Sequence, residues 1–126
     1  MASAGSNQTP TISTTSAIYF NPSTGMVTAV NVTATSDRRF KTNIQKLDNS
    51  LNTVLKLNGY KFDSIIDKTT HIGVIAQEVE QVVPELVRVD PDGKMSVAYG
   101  NIAGLLIEAI KELKAEVDEL KNKLQG

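Results

Sequence analysis

Thr35-Ser36-Asp37-Arg38-Arg39-Phe40-Lys41 marks the place where this chain changes character. Residues 1–35 contain no Asp, Glu, Lys or Arg and are rich in Ser and Thr. All 13 Lys+Arg and all 14 Asp+Glu lie from Asp37 onward. The hydrophobic periodicity also differs on the two sides. The run itself sets a hydroxyl, a carboxylate and an amine close together at that boundary.

On the N-terminal side the chain favours β-structure. Residues 1–16 are polar and of low complexity, which predicts a flexible or extended segment. Its first six residues, Met1 to Ser6, have the look of a cloning-derived start. Ala17-Ile18-Tyr19-Phe20 then reads as a strand, Asn21-Pro22-Ser23-Thr24-Gly25 as a turn, and Met26 to Thr35 as a returning strand. A lone hairpin is marginal in water, so this one calls for partners, most simply further copies of itself.

On the C-terminal side helical spacing takes over. Asp48 is placed to cap a helix bearing Leu47, Leu51, Val54 and Leu55, with Gly59 suited to its end. Short strands are expected at Tyr60–Phe62 and from Thr70 to Ile75, the second with Gly73 inside it. A helix from Gln77 to Val83 stops at Pro84, because proline cannot continue the hydrogen-bond ladder. Leu86–Val89 and Met95–Val97 flank Asp90-Pro91-Asp92-Gly93. That tetrapeptide lacks the later ligands of a calcium loop and reads as a hairpin turn.

The last segment, Asn101 to Leu124, reads as one long helix. Ala103, Leu106, Ile110, Leu113, Val117, Leu120 and Leu124 recur in steps of three and four, an a/d seam. A helix packed on its own domain would need a wider apolar stripe than the tail beyond Leu113 keeps, so self-association is expected. With Ile110 at a, Glu116 falls at g and Lys121 at e, and the two attract between parallel chains. Isoleucine at a with leucine at d nominally favours two strands, so the seam alone does not set the number of chains.

The bulk properties exclude several classes. The 126 residues suffice for one modest core, with 40% hydrophobic and 21% charged residues. A net charge of -1 leaves no footprint for nucleic acid or an anionic membrane. There is no cysteine, hence no disulfide or thiolate chemistry, and His71 is the only histidine. No metal or other cofactor is expected. No apolar run is long enough to span a bilayer, and no signal-peptide pattern opens the chain. The sequence reads as the C-terminal piece of something longer.

Ser36 and Lys41 could carry serine–lysine chemistry. A serine hydroxyl needs a base, and a neutral lysine can serve. Lysine ordinarily titrates at about 10.4, so such a lysine must be desolvated or set near cations. Arg38 and Arg39 are available as those cations. Asp37 works against this by holding the amine charged, unless it points elsewhere. Residues five apart fall on different faces of a helix or a strand, so a bend between Ser36 and Lys41 is required. The competing reading is a Ser-Asp cap followed by a solvated basic patch, and on residue types alone it is the stronger one.

Three ordered blocks carry a resemblance. Ser36-Asp37-Arg38-Arg39-Phe40-Lys41-Thr42-Asn43-Ile44 resembles the start of the C-terminal intramolecular chaperone domain of phage tail fibres and endosialidase tailspikes. The self-cleaving domain of myelin regulatory factor belongs to the same group. His71-Ile72-Gly73-Val74-Ile75-Ala76-Gln77-Glu78-Val79-Glu80 with Pro84 resembles the family's central strand-then-helix motif. Tyr99-Gly100-Asn101 followed by Leu105 to Leu113 resembles its final helix. The likeness covers residues 36 to about 113, and Tyr19 to Gly25 is similar to the end of a fibre shaft. Ala98 and Gly104 are smaller than the family pattern suggests.

The resemblance implies a homotrimer whose C-terminal domain helps an intertwined shaft to fold and then cuts itself off. The implied scissile bond is Thr35–Ser36, with Ser36 as nucleophile and Lys41 as its partner. Asp37, His71 and Gln77 are the candidates for supporting roles. For His71 a structural role competes, and for Gln77 the ordering of a loop, while Glu78 and Glu80 read as a solvated helix face.

The expected fold is α+β. Residues 1–35 form a β-rich shaft end. Residues 36–126 form a small mixed domain closed by helix 101–124, a trimeric coiled coil. Its partners are its own copies and the shaft, with no nucleic acid or membrane. Assembly is expected in the host cytoplasm, with the shaft in the virion tail fibre and the chaperone released. A non-cleaving assembly module is the alternative. The domain of a membrane-tethered transcription regulator is disfavoured by the shaft-like hairpin and the missing basic DNA-binding region.

Overall fold

The computed structural model describes residues 17–125. The segment at residues 1–16, expected to be flexible or extended, lies outside them. The chain forms two compact units. One runs to Thr42 and includes Ser64–Thr69, and the other comprises Asn43–Asp63 and Thr70–Gly126.

In the first unit, strands β1 (Ile18–Asn21) and β2 (Met26–Ala29) pair antiparallel, with Phe20 opposite Val27. The turn between them follows from its residues. Asn21 Oδ1 accepts the Ser23 N–H at 3.0 Å, and Gly25 takes φ 77, a conformation that costs glycine little. The pairing ends sooner than Thr35. The Val30 N–H still donates to the Ala17 carbonyl at 3.1 Å, but residues 31–37 form no element. The β-favouring Val32 is 80% exposed there, because propensity without a paired strand does not make a sheet.

The second unit contains α1 (Ser50–Val54), β3 (Tyr60–Asp63), β4 (Thr70–Gly73), α2 (Ala76–Val82), β5 (Val87–Val89), β6 (Met95–Val97) and α3 (Ile102–Gln125). Strands β3 and β4 form one antiparallel hairpin, and β5 and β6 another. Asp90 Oδ1 accepts the N–H groups of Asp92 and Lys94, each at 2.9 Å, and closes the expected turn. Val79, Leu86 and Val87 form the buried core, with Leu57, Val74, Val83, Met95 and Ile102 packed around it. The architecture is a small mixed α+β fold with short hairpins and a long C-terminal helix.

Helix α1 departs from expectation. It is a single short turn that ends before Leu55, and Asp48 does not cap it. Asn49 holds the cap position at φ 51, and its Oδ1 accepts from the Asn52 side-chain amide at 2.8 Å rather than from a helix backbone N–H. The first N–H groups are instead satisfied from α3. Glu112 Oε2 accepts from Ser50 N at 2.8 Å, and Oε1 accepts from Leu51 N at 3.1 Å. Unpaired amides at a helix start need an acceptor, and here it comes from 62 residues away.

Helix α3 has two apolar faces. Ile102, Leu105 and Ala109 turn inward, with Leu105 and Ala109 buried. The seam of Leu106, Ile110, Leu113, Val117, Leu120 and Leu124 lies about a quarter turn away and is exposed. The helix thus packs on its own domain through one face and leaves the other apolar face to solvent. Near its start lies a cavity of about 200 Å³ lined by Leu47, Val83, Leu86, Gly104 and Leu105, among others. A Cβ on Gly104 would meet nothing within 4 Å, so the small residue leaves this space open.

Candidate functional site

The run at the boundary folds into one turn. Arg38–Phe40 is a 3-10 helix with Asp37 at its N-cap. Asp37 Oδ1 accepts the Arg39 N–H at 2.8 Å, as a capping carboxylate should. The Phe40 N–H donates to the Asp37 carbonyl at 3.1 Å, and the Lys41 N–H donates to the Arg38 carbonyl at 3.0 Å. This is the bend that the five-residue spacing lacked. It brings Lys41 Nζ to 2.5 Å from Ser36 Oγ, with the ammonium donating. Thr35, Ser36 and Lys41 are all exposed in the single chain.

The Asp37 carboxylate is taken up by Arg39. Arg39 Nε donates to its Oδ1 at 3.2 Å, and Arg39 Nη2 donates to its Oδ2 at 2.9 Å. This two-pronged contact, together with the Arg39 backbone N–H, holds the Asp37 carboxyl below its usual range. The same contact raises the Arg39 guanidinium. Asp37 thus both caps the turn and spends its charge on Arg39.

The other two candidates belong to the second unit. His71 lies on β4, and its ring stacks on that of its cross-strand partner Phe62, with centroids 5.8 Å apart. Gln77 is exposed in the first turn of α2. Glu78, expected on a solvated face, has a specific partner. The Tyr60 hydroxyl donates to both of its carboxylate oxygens at 3.0 Å. That hydrogen bond is the main reason the phenol is pushed above its usual value.

The second and third sequence blocks meet at a contact that periodicity does not reveal. The Val74 N–H donates to the Tyr99 hydroxyl at 3.1 Å, and the tyrosine tip lies over Gly73, where any Cβ would collide with it. A glycine inside a strand pattern is the one signal that another group approaches closely. Gly73→Ala is expected to displace Tyr99, break its bond to Val74 and cost about 1–3 kcal/mol. Denaturant unfolding checks this, and an unchanged midpoint would show that the tyrosine moves aside freely.

Among the described residues no cluster of His, Asp or Glu is arranged to hold a metal. No helix there is long and apolar enough to cross a membrane.

Residues 36–88 match the family described as chaperone of endosialidase, a peptidase family designated S74. The match begins at Ser36. Curated relatives include "Long tail fiber protein Gp37" of Enterobacteria phage K3, 38% identical over 111 residues, which are 78% of this chain and 9% of the relative. The protein of the same name from Enterobacteria phage M1 is 34% identical over 116 residues, 84% of this chain and 45% of the relative. That of Salmonella phage S16 is 32% identical over 114 residues, 80% and 15% respectively. The chain spans less than half the length of each.

Proposed function

We propose that this chain, whose residues 36–88 match the family described as chaperone of endosialidase and which is similar to phage long tail fibre proteins, is an intramolecular chaperone that cuts itself at Thr35–Ser36. The observation that carries the reading is the Lys41 Nζ to Ser36 Oγ contact, made across a capped turn at the first residue of the family match. On this reading residues 1–35 are the end of a fibre shaft and residues 36–126 the chaperone domain.

The chemistry proceeds in balanced steps. Lys41 first loses a proton to solvent, because an ammonium can donate to Ser36 but cannot accept from it. The neutral amine then takes the Ser36 hydroxyl proton, and Oγ attacks the Thr35 carbonyl carbon. Backbone N–H groups hold the resulting oxyanion. The Thr35–Ser36 C–N bond breaks, and the Lys41 ammonium returns the proton to the Ser36 nitrogen. Water hydrolyses the ester, leaving a Thr35 carboxylate and a free Ser36 amine. The turnover is single.

Assembly precedes the cut. The exposed α3 seam offers the faces for a three-stranded coiled coil. Glu116 and Lys121 make no ion pair within the chain among the described residues, although Lys111, Lys114 and Lys123 pair with Glu108, Asp118 and Glu119. The two residues assigned to interchain pairing are thus available. The β1–β2 hairpin leaves Ile18, Met26 and Val27 exposed, as a shaft end awaiting its copies would. Joining three chains early raises their effective concentration and offsets the closure cost of an intertwined shaft. Cutting afterwards leaves the shaft held by its unfolding barrier. Folding takes place in the host cytoplasm, the shaft enters the virion tail, and the chaperone is released.

A second reading, a non-cleaving assembly module, is favoured by the solvent exposure of Ser36 and Lys41. Intact mass and light scattering on the purified chain separate the two. A trimer whose C-terminal fragment starts at Ser36 is expected. A trimer of uncut chains selects the assembly module, and a monomer refutes both.

A further inference from the structure

We propose that Arg39 is a positioning residue of the cleavage site, one that occupies both carboxylate oxygens of Asp37 and thereby leaves the Lys41 amine to Ser36 alone. The inference rests on the Ser36–Lys41 reading above and goes beyond it, since neither the turn nor the family match assigns Arg39 a role.

The argument starts from a conflict in the run itself. A carboxylate next to the nucleophile favours an ammonium over the neutral amine that a base must be. Asp37 lies inside the turn whose ends, Ser36 and Lys41, touch at 2.5 Å. Left free, its carboxylate would be the nearest anion in sequence to that amine. The structure resolves the conflict with geometry. Oδ1 takes the Arg39 backbone N–H and Nε, and Oδ2 takes Nη2, so both oxygens are engaged. Among the described residues the Lys41 amine has one hydrogen-bond partner, the Ser36 hydroxyl.

A lysine at position 39 would keep the charge but could not grip both oxygens while its backbone N–H serves the cap. The remaining charges of this unit are few. Arg38 lies in the same turn, Asp67 and Lys68 lie on the Ser64–Thr69 loop, and residues 17–35 carry no charged side chain. The Arg39 side chain is 84% exposed, so replacing it disturbs no core.

The test follows Lys41 in the full chain with two readouts. Carbon NMR of the Lys41 ε-methylene gives its titration midpoint whether or not the chain cuts. Appearance of the Ser36 N-terminus against pH gives the midpoint of cleavage. In Arg39→Ala both midpoints are expected to rise by about one pH unit, which slows cleavage near neutrality about tenfold. Adding Asp37→Asn to Arg39→Ala should bring the titration midpoint back, because the freed anion is gone. Arg39→Lys should fall between the native chain and Arg39→Ala.

An unmoved Lys41 titration in Arg39→Ala overturns the proposal, as does a double variant displaced as far as Arg39→Ala. A titration that moves while the cleavage midpoint stays put refutes Lys41 as the base and leaves Arg39's hold on Asp37 standing. The failure of the underlying reading is thereby distinguished from the failure of this one.

Discussion

Ser36→Ala leaves the Thr35–Ser36 bond intact: the variant chain is expected to run as the uncut precursor on a denaturing gel, with cleavage slowed at least about a thousandfold. The substitution removes only the oxygen proposed to attack the Thr35 carbonyl. Ser36 is exposed and, among the described residues, its hydroxyl hydrogen-bonds only to Lys41, so the fold has little to lose. Light scattering should therefore give the variant the same oligomeric state as the native chain. Together, an uncut chain and an unchanged assembly separate the chaperone function from the cut. Cleavage of Ser36→Ala at the native rate would eliminate Ser36 as nucleophile.

The second large effect concerns stability. Glu112→Ala removes the acceptor for two backbone N–H groups, those of Ser50 and Leu51. Ser50 is fully buried, so its N–H is poorly placed to find water in place of the lost carboxylate. Hydrogen bonds to a charged acceptor are the strong kind, and orphaned buried donors carry their full desolvation cost. The expected loss is about 2–4 kcal/mol, read as a lower denaturant midpoint. Glu112→Gln keeps one good acceptor and should lose about half as much. An Ala variant with the native midpoint would mean that α1 finds another cap.

That contact also bears on assembly. Glu112 lies on α3 between Ile110 and Leu113, two residues of the exposed seam. The helix that presents the seam is therefore anchored to its own domain beside it. Rigid presentation lowers the ordering cost that association would otherwise carry.

Much of this fold was legible because its signals are local. The turn residues of Asn21–Gly25 and Asp90–Gly93, the stop at Pro84 and the run of helix formers from Ile102 act within a few positions of themselves. The long helix was placed to within one residue at each end. The miss at α1 has the same origin. Asp48 satisfies the local rule for a cap, but Asn49 takes a left-handed conformation and the amides turn to Glu112 instead. Strand β2 was read too long because propensity was visible and the end of pairing was not.

The candidate site divides in the same way. Sequence by itself determined the composition boundary at Ser36, the three ordered blocks and the seam of α3, since charge, residue type and spacing are properties of the chain. The folded structure decided which donors Asp37 serves, because a carboxylate accepts from whichever donors reach it, and the Arg38–Phe40 turn brings Arg39. It likewise decided that Lys41 meets Ser36 across a spacing that forces no contact. Tyr99 over Gly73 and Glu112 under α1 join residues 25 or more positions apart. Partners so far apart in sequence are chosen by packing, which no local propensity encodes.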